Sequence, residues 1–240
     1  KKIDLLDKKV LSEAAVKFKI DTIIHLAAIL SARAEANPTY AWYVNMGGLL
    51  NALEVAREMT AQFFTPSSIG VFGSATPKYN TPQDAVLRPV TMYGVNKAAG
   101  ELLADYYFHK YGVDTRGLRF PGLISYGALP GGGTTDYAVE IFYAAIQKGR
   151  YTSYLKKGTY LDMMYMPDAL QAIITLMEAD PSKLRHRNAF NVTAMSISPE
   201  QIAAEIQKYI PSFILEYKID PVRQTIADSW PNSINAEAAR

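Results

Sequence analysis

Three apolar runs too short to be helices recur along the first half of this 240-residue chain: DTIIHLAA at 21–28, QFFTPSS at 62–68 and VDTRGLRF at 113–120. Each is rich in β-branched, aromatic or leucine side chains and reads as a strand buried on both faces. Between and before them lie stretches with apolar residues at helical spacing: 10–19, then 39–59 after Asn37-Pro38, then 94–111 up to Gly112. Parallel neighbours in a sheet need a crossover, usually helical. The alternation therefore predicts a doubly wound parallel α/β sheet. In such sheets a ligand lies beyond the carboxyl ends of the strands. Small and polar clusters fall at those ends: LSA at 30–32, PSS at 66–68 and PGLIS at 121–125.

The second half has another rhythm. A glycine loop opens the stretch 130–149, whose helix stops at Gly149, and a helix over 166–180 carries Pro167 in its first turn. NAFNVTA (188–194) and FILEYKID (213–220) read as strands. Between them Ser198, Pro199 and Gln201 open the 198–210 helix with a capping box. We expect a nucleotide-binding unit over 1–125 and a smaller α+β unit over 126–240, with some elements of the second returning to the first.

Hydrophobic residues make up 49% of the chain and charged ones 20%, enough for a sizeable core. A net charge of +2 with no dense Lys/Arg run asks for neither nucleic acid nor an anionic membrane. With no cysteine there is no disulfide, thiolate nucleophile or Cys-ligated zinc. His25, His109 and His186 match no metal spacing, so no metal is expected. No apolar run approaches the ~20 residues that span a bilayer, and KKIDLLDKKV lacks the apolar core of a leader. The expectation is a soluble, cytoplasmic protein, with an upstream targeting segment left open.

Tyr93 precedes Lys97 by four residues at the start of a helix, which places both on one face, one turn apart. An ammonium beside a phenol favours the phenolate, so the Tyr93 pKa should fall and the phenol become a general base. An isolated YxxxK is more simply a surface lysine and a half-buried tyrosine. The surrounding motifs change that balance. HLAA (25–28), Asn45 in YVNMGG, SSIGVFG (67–73), YGVNK (93–97) and RFPGLIS (119–125) together resemble the extended short-chain dehydrogenase/reductase family, in order and spacing. TPSSIGVFG (65–73), PGGGTTDYAVEIF (130–142), MMYMPDAL (163–170), FNVTAMSISPE (190–200) and IADSWP (226–231) bring the chain closest, within that family, to the metal-free L-threonine 3-dehydrogenases.

The resemblance implies a Rossmann-like sheet, a smaller substrate-binding domain and NAD as cofactor. It implies NAD-dependent oxidation of L-threonine to 2-amino-3-oxobutanoate. Tyr93 would be the base, Lys97 would lower its pKa and hold the nicotinamide ribose, and Ser68 would orient the substrate hydroxyl beside Ser67. Cofactor contacts would come from Leu6, Asp7, Leu26, Ala27, Ala28, Asn45, Pro66, Pro121, Gly122 and Leu123. For Leu26, Ala27 and Ala28 the plainer reading is core. Asn45 reads equally as a helix kink beside Gly47-Gly48, and Pro121-Gly122 as a tight turn. Threonine's charged groups would meet Ser31, Thr134 and Thr135 where the glycine loop joins a helix N-terminus, which suits a carboxylate. Asp136 and Arg223 are further candidates, with first-turn decoration and a surface arginine as their plainer readings.

The family binds the cofactor pyrophosphate on a GxxGxxG turn that should precede residue 1, and it continues beyond NAEAAR. The chain thus reads as a fragment. Helices 39–59 and 94–111 would pair with a second copy as a four-helix bundle. An epimerase or dehydratase of nucleotide sugars is the nearest alternative. A non-catalytic dinucleotide-binding regulator is the alternative from another class.

Overall fold

The structure is a computed structural model that describes residues 2–127 and 129–240. In chain order the elements are α1 (Lys8–Phe18), β1 (Thr22–Ile24), α2 (Ser31–Ala36), α3 (Pro38–Met59), β2 (Gln62–Phe64), β3 (Ser67–Ser68), α4 (Met92–Tyr111), β4 (Thr115–Arg116), β5 (Leu118–Phe120) and β6 (Gly122–Ile124). The second half continues with α5 (Tyr137–Lys148), β7 (Arg150–Ser153), β8 (Leu161–Tyr165), α6 (Met166–Glu178), β9 (Phe190–Asn191), β10 (Met195–Ile197), α7 (Pro199–Gln207), β11 (Ile214–Tyr217) and α8 (Pro221–Ser229).

The three expected strands pair in parallel as β1–β2–β4, and β3 and β5, which continue the second and third of them, form the parallel sheet β3–β5–β9 with a strand from further along the chain. Each expected strand is broken or cut short, for local reasons. Pro66 has no N–H to give to a ladder. At Gly117 a side chain would come within 2.8 Å of the Thr65 carbonyl, so the strands approach too closely for one. Thr65 N–H still donates to the Arg116 carbonyl at 3.1 Å, which carries the pairing across the break. After β1 only the His25 N–H follows the ladder, donating to the Phe64 carbonyl at 2.9 Å. β9, from the second half, returns beside β5.

Helices cover both faces of β2, β4 and β5, as a parallel sheet requires, whereas β1, expected to be buried on both faces, stands at the sheet edge with Ile24 51% exposed. On one side Leu53, Ala56 and Phe63 are buried with Tyr107, among α1, α3 and α4. On the other, Phe64, Leu118 and Phe120 pack on Leu176 of α6. A third core holds Tyr137, Ile141, Leu155, Met163 and Phe213. It lies against the mixed sheet β6–β8–β10 and the parallel pair β7–β11. The fold is an α/β Rossmann-like arrangement.

The helix ends follow their capping residues. Asn37 accepts from Tyr40 N–H at 3.2 Å with Pro38 in the first turn, and Thr91 accepts from Gly94 N–H at 3.1 Å. The Ser198–Gln201 capping box is present. α4 and α5 stop at Gly112 and Gly149, both with positive φ. Lys19 and Thr60 end α1 and α3 in the same left-handed conformation without being glycine. Among the described residues no helix is long and apolar enough to cross a membrane.

Candidate active site

The carboxyl ends of β1, β3 and β5 open into one cleft of about 330 Å³. Ser68 ends β3, Tyr93 lies in the first turn of α4, and Lys97 follows one turn later, so all three reach it. Two glycines set this geometry. Gly94 leaves room for the Gly70 carbonyl to touch the start of α4, and the Tyr93 ring lies 3.3 Å from where a side chain on Gly70 would stand. Ser68 also accepts from Gly70 N–H at 3.1 Å, which pins its hydroxyl beside the phenol.

The electrostatics correct one expectation. Desolvation raises the Tyr93 phenol above its ordinary value, and the counteracting influence is the Ser68 hydroxyl, not Lys97. The Lys97 ammonium stands 5.7 Å from the centre of the Tyr93 ring and donates to the Pro66 carbonyl at 2.6 Å. Burial lowers Lys97 to about 8, against the pull of Glu101. His25, behind it, is stacked on Phe63 and lowered by burial, and then by Lys97, to about 4, so it is neutral at pH 7.

Of the residues expected at the cofactor, Leu26, Ala28, Pro66, Pro121, Gly122 and Leu123 line the cleft with Tyr93 and Lys97. The donor chemistry suits a ribose diol, because one of the three Lys97 N–H groups is used by Pro66. Leu26, 59% exposed, adds an apolar wall fit for a nicotinamide face. Gly122 has a further reason to be glycine: a side chain there would press on Met163 and Thr135.

Four expected contacts lie outside the cleft. Asn45 clamps the chain after β1, accepting from Ile29 N–H at 2.7 Å and donating to the Ile29 carbonyl and Asn96. Ala27 lines a small interior cavity beside it. Leu6 lies against Gly47 of α3, and Asp7 caps α1 by accepting from Val10 N–H at 3.1 Å.

The substrate side is also rearranged. Ser31 and Thr134 are buried and joined hydroxyl to hydroxyl at 3.1 Å, with Thr134 N–H donating to Ser31. Asp136 lines the cleft and also closes the glycine loop with one carboxylate oxygen, which accepts from Gly132 and Gly133 N–H at 2.7 and 2.8 Å. The N–H groups of α5 expected to meet a carboxylate are taken: Tyr137 N–H by the Tyr154 hydroxyl, Ala138 by the Thr135 carbonyl, Val139 and Glu140 by the Asp136 carbonyl. Ser31, Ser67, Thr134 and Thr135 all line the cleft. Arg223 stacks on Tyr154 at 4.2 Å and does not line the cleft. The hydroxyl of Ser67 is turned to Glu101.

Sequence reasoning missed Met166 and Trp230, which wall the cleft from the second half. The Trp230 indole N–H is buried with no partner among the described residues. IADSWP was noticed as a motif, but no periodicity brings residue 230 to residue 93.

The model of the NAD dependent epimerase/dehydratase family matches residues 1–193. An uncharacterised epimerase/dehydratase of Staphylococcus saprophyticus is 61% identical over 238 residues, 99% of this chain and 74% of that protein. The crystallographic L-threonine dehydrogenase of Clostridium difficile superposes with a TM-score of 0.97 at 62% identity, covering 100% of this chain and 75% of that one. A monomeric L-threonine 3-dehydrogenase from a metagenome gives 0.98 at 44% identity, over 100% and 77% of the two chains.

Proposed function

The chain belongs to the NAD-dependent epimerase/dehydratase family, whose cofactor is NAD, and from that premise we propose that it oxidises L-threonine at the hydroxyl carbon to 2-amino-3-oxobutanoate. The observation that carries this reading is the 62% identity to an L-threonine dehydrogenase over the whole chain.

In this reading Ser68 donates to or accepts from the substrate hydroxyl and Tyr93 removes its proton as the alcohol becomes a ketone. Lys97, anchored on the Pro66 carbonyl, holds ribose hydroxyls with its remaining N–H groups. The bound cofactor supplies the hydride acceptor. Leu26, Ala28, Pro66, Pro121, Gly122 and Leu123 would hold its nicotinamide end. Thr134, Thr135 and Trp230 wall the cleft from the second half, where the amino acid's polar end would lie. Residues 1–125 would thus bind the cofactor and 126–240 supply most of the substrate wall. The exposed Trp42 and Tyr43 of α3, with Leu102 and Tyr106 of α4, would pair with a second copy.

The test is NADH formation by the complete gene product with L-threonine and NAD⁺, beside its Tyr93→Phe variant. Threonine-dependent NADH that collapses in the variant is the expected result. Silence with threonine while NAD binds, or turnover of a nucleotide sugar instead, overturns the substrate assignment.

A further inference from the structure

Tyr93, Lys97 and Glu101 stand at four-residue steps on α4, so they descend one face of the helix away from the cleft. Glu101 is 7% exposed, and its carboxylate is shared three ways. Arg119 of β5 donates to it from Nε at 2.9 Å and from Nη2 at 2.8 Å, and the Ser67 hydroxyl donates to the same oxygen as Nε. Arg119 is held from its far side by the Gln83 carbonyl at 2.8 Å and stacks on Phe72 at 5.3 Å. Ser67 lies between Pro66, whose carbonyl receives the Lys97 ammonium, and Ser68, which touches the phenol.

Desolvation offsets much of what a buried ion pair gains in attraction, so stability alone gives little reason for one here. Its position does. We infer that Glu101, braced by Arg119, is a positioning residue: it fixes the Pro66–Ser68 strand end through Ser67 and supplies the countercharge to the Lys97 ammonium. The groups around Lys97 agree with this. Tyr93 lies above it. His25, across from β1, is held neutral by burial and then by Lys97 itself. Arg119 lies beyond Glu101 and is paired with it. Glu101 is the carboxylate that raises Lys97 against burial. The consequence for catalysis rests on the dehydrogenase reading; the consequence at Lys97 does not.

The experiment is an NMR titration of lysine side chains in the full-length protein, with Lys97 assigned through Lys97→Arg. In Glu101→Gln the Lys97 midpoint falls by about one pH unit or more, the usual effect of a neighbouring opposite charge. In Glu101→Asp it stays near the wild-type value. With threonine and NAD⁺, the alkaline limb of the kcat profile moves down with the midpoint in Glu101→Gln. Should that variant not fold, Glu101→Gln with Arg119→Gln leaves no charge unpaired, and the Lys97 midpoint falls there too. An unchanged Lys97 midpoint in a folded Glu101→Gln or double variant overturns the inference. A shifted midpoint in a protein whose wild type is inert to threonine supports it and overturns the substrate assignment alone.

Discussion

Gly94 lies so close to the carbonyl oxygen of Gly70 that no β-carbon fits between them. The contact presses the first turn of α4 onto the 3-10 turn Ile69–Val71 and lays the Tyr93 ring against Gly70. Gly94→Ala must therefore shift either backbone. Overpacking of this kind costs about 1–3 kcal/mol. We expect a matching loss in urea unfolding, together with a larger loss of turnover than stability explains, because Tyr93 moves with the helix start.

In the proposed reaction the two hydroxyls at the cleft differ in role, so their variants should differ in kind. Tyr93→Phe removes the proton acceptor and lowers kcat on the order of 10²-fold or more. Ser68→Ala leaves the base but frees the substrate hydroxyl and Gly70 N–H, so KM and kcat both worsen. Steady-state kinetics with threonine separate the two. Equal, small effects in both variants count against the assignment of the base.

His25 makes the fold acid-sensitive. Its pKa is lowered on folding from 6.5 to about 4, by burial first and Lys97 second. Between those values the unfolded chain binds the proton and the native one does not, so stability is full above 6.5 and is lost as pH falls toward 4. The loss amounts to as much as about 3 kcal/mol. His25→Phe keeps the stack on Phe63 and removes the titration. Urea midpoints of the variant, compared across that window, should flatten relative to wild type.

Asp162 works in the opposite sense. It is buried, accepts from Thr193 and from Ile234 N–H at 2.8 Å, and is raised by burial to about 6. The native state holds the proton where the unfolded state has lost it, so this group's contribution declines as pH rises from about 4 to about 6. Asp162→Asn removes that dependence. Its unfolding midpoint at neutral pH should match or exceed that of wild type. A large loss there would show that the charged form is needed at Ile234.

Arg116 is 2% exposed and donates to the carbonyls of Leu176 and Ala179 at the end of α6, at 2.5 and 2.7 Å, while pairing with Asp114. Arg116→Leu strands those carbonyls and the carboxylate. A cost of about 3 kcal/mol or more follows, read as a lower thermal midpoint. The cleft side chains, all but Met166 on other elements, should keep their kinetics at temperatures where the variant is folded.

The sequence alone determined the alternation of strand and helix, because β-branched runs and helical periodicity are local signals that survive any packing. It also determined the caps at Asn37 and Ser198 and the stops at Gly112 and Gly149, where a single residue's chemistry decides the backbone. It placed Tyr93 and Lys97 one turn apart, since a four-residue step needs only a helix. Tertiary structure decided the rest. β6, β7, β8 and β10 acquire their pairing from partners far along the chain, and α2 and α8 were likewise unforeseen. The phenol pKa follows burial, whereas the sequence suggested only a nearby charge. Asn45, Asp136 and the N–H groups of α5 are polar groups whose bonds go to the protein's own groups. Which bonds a polar side chain keeps for itself depends on what folding brings within 3 Å of it, and no spacing along the chain records that distance.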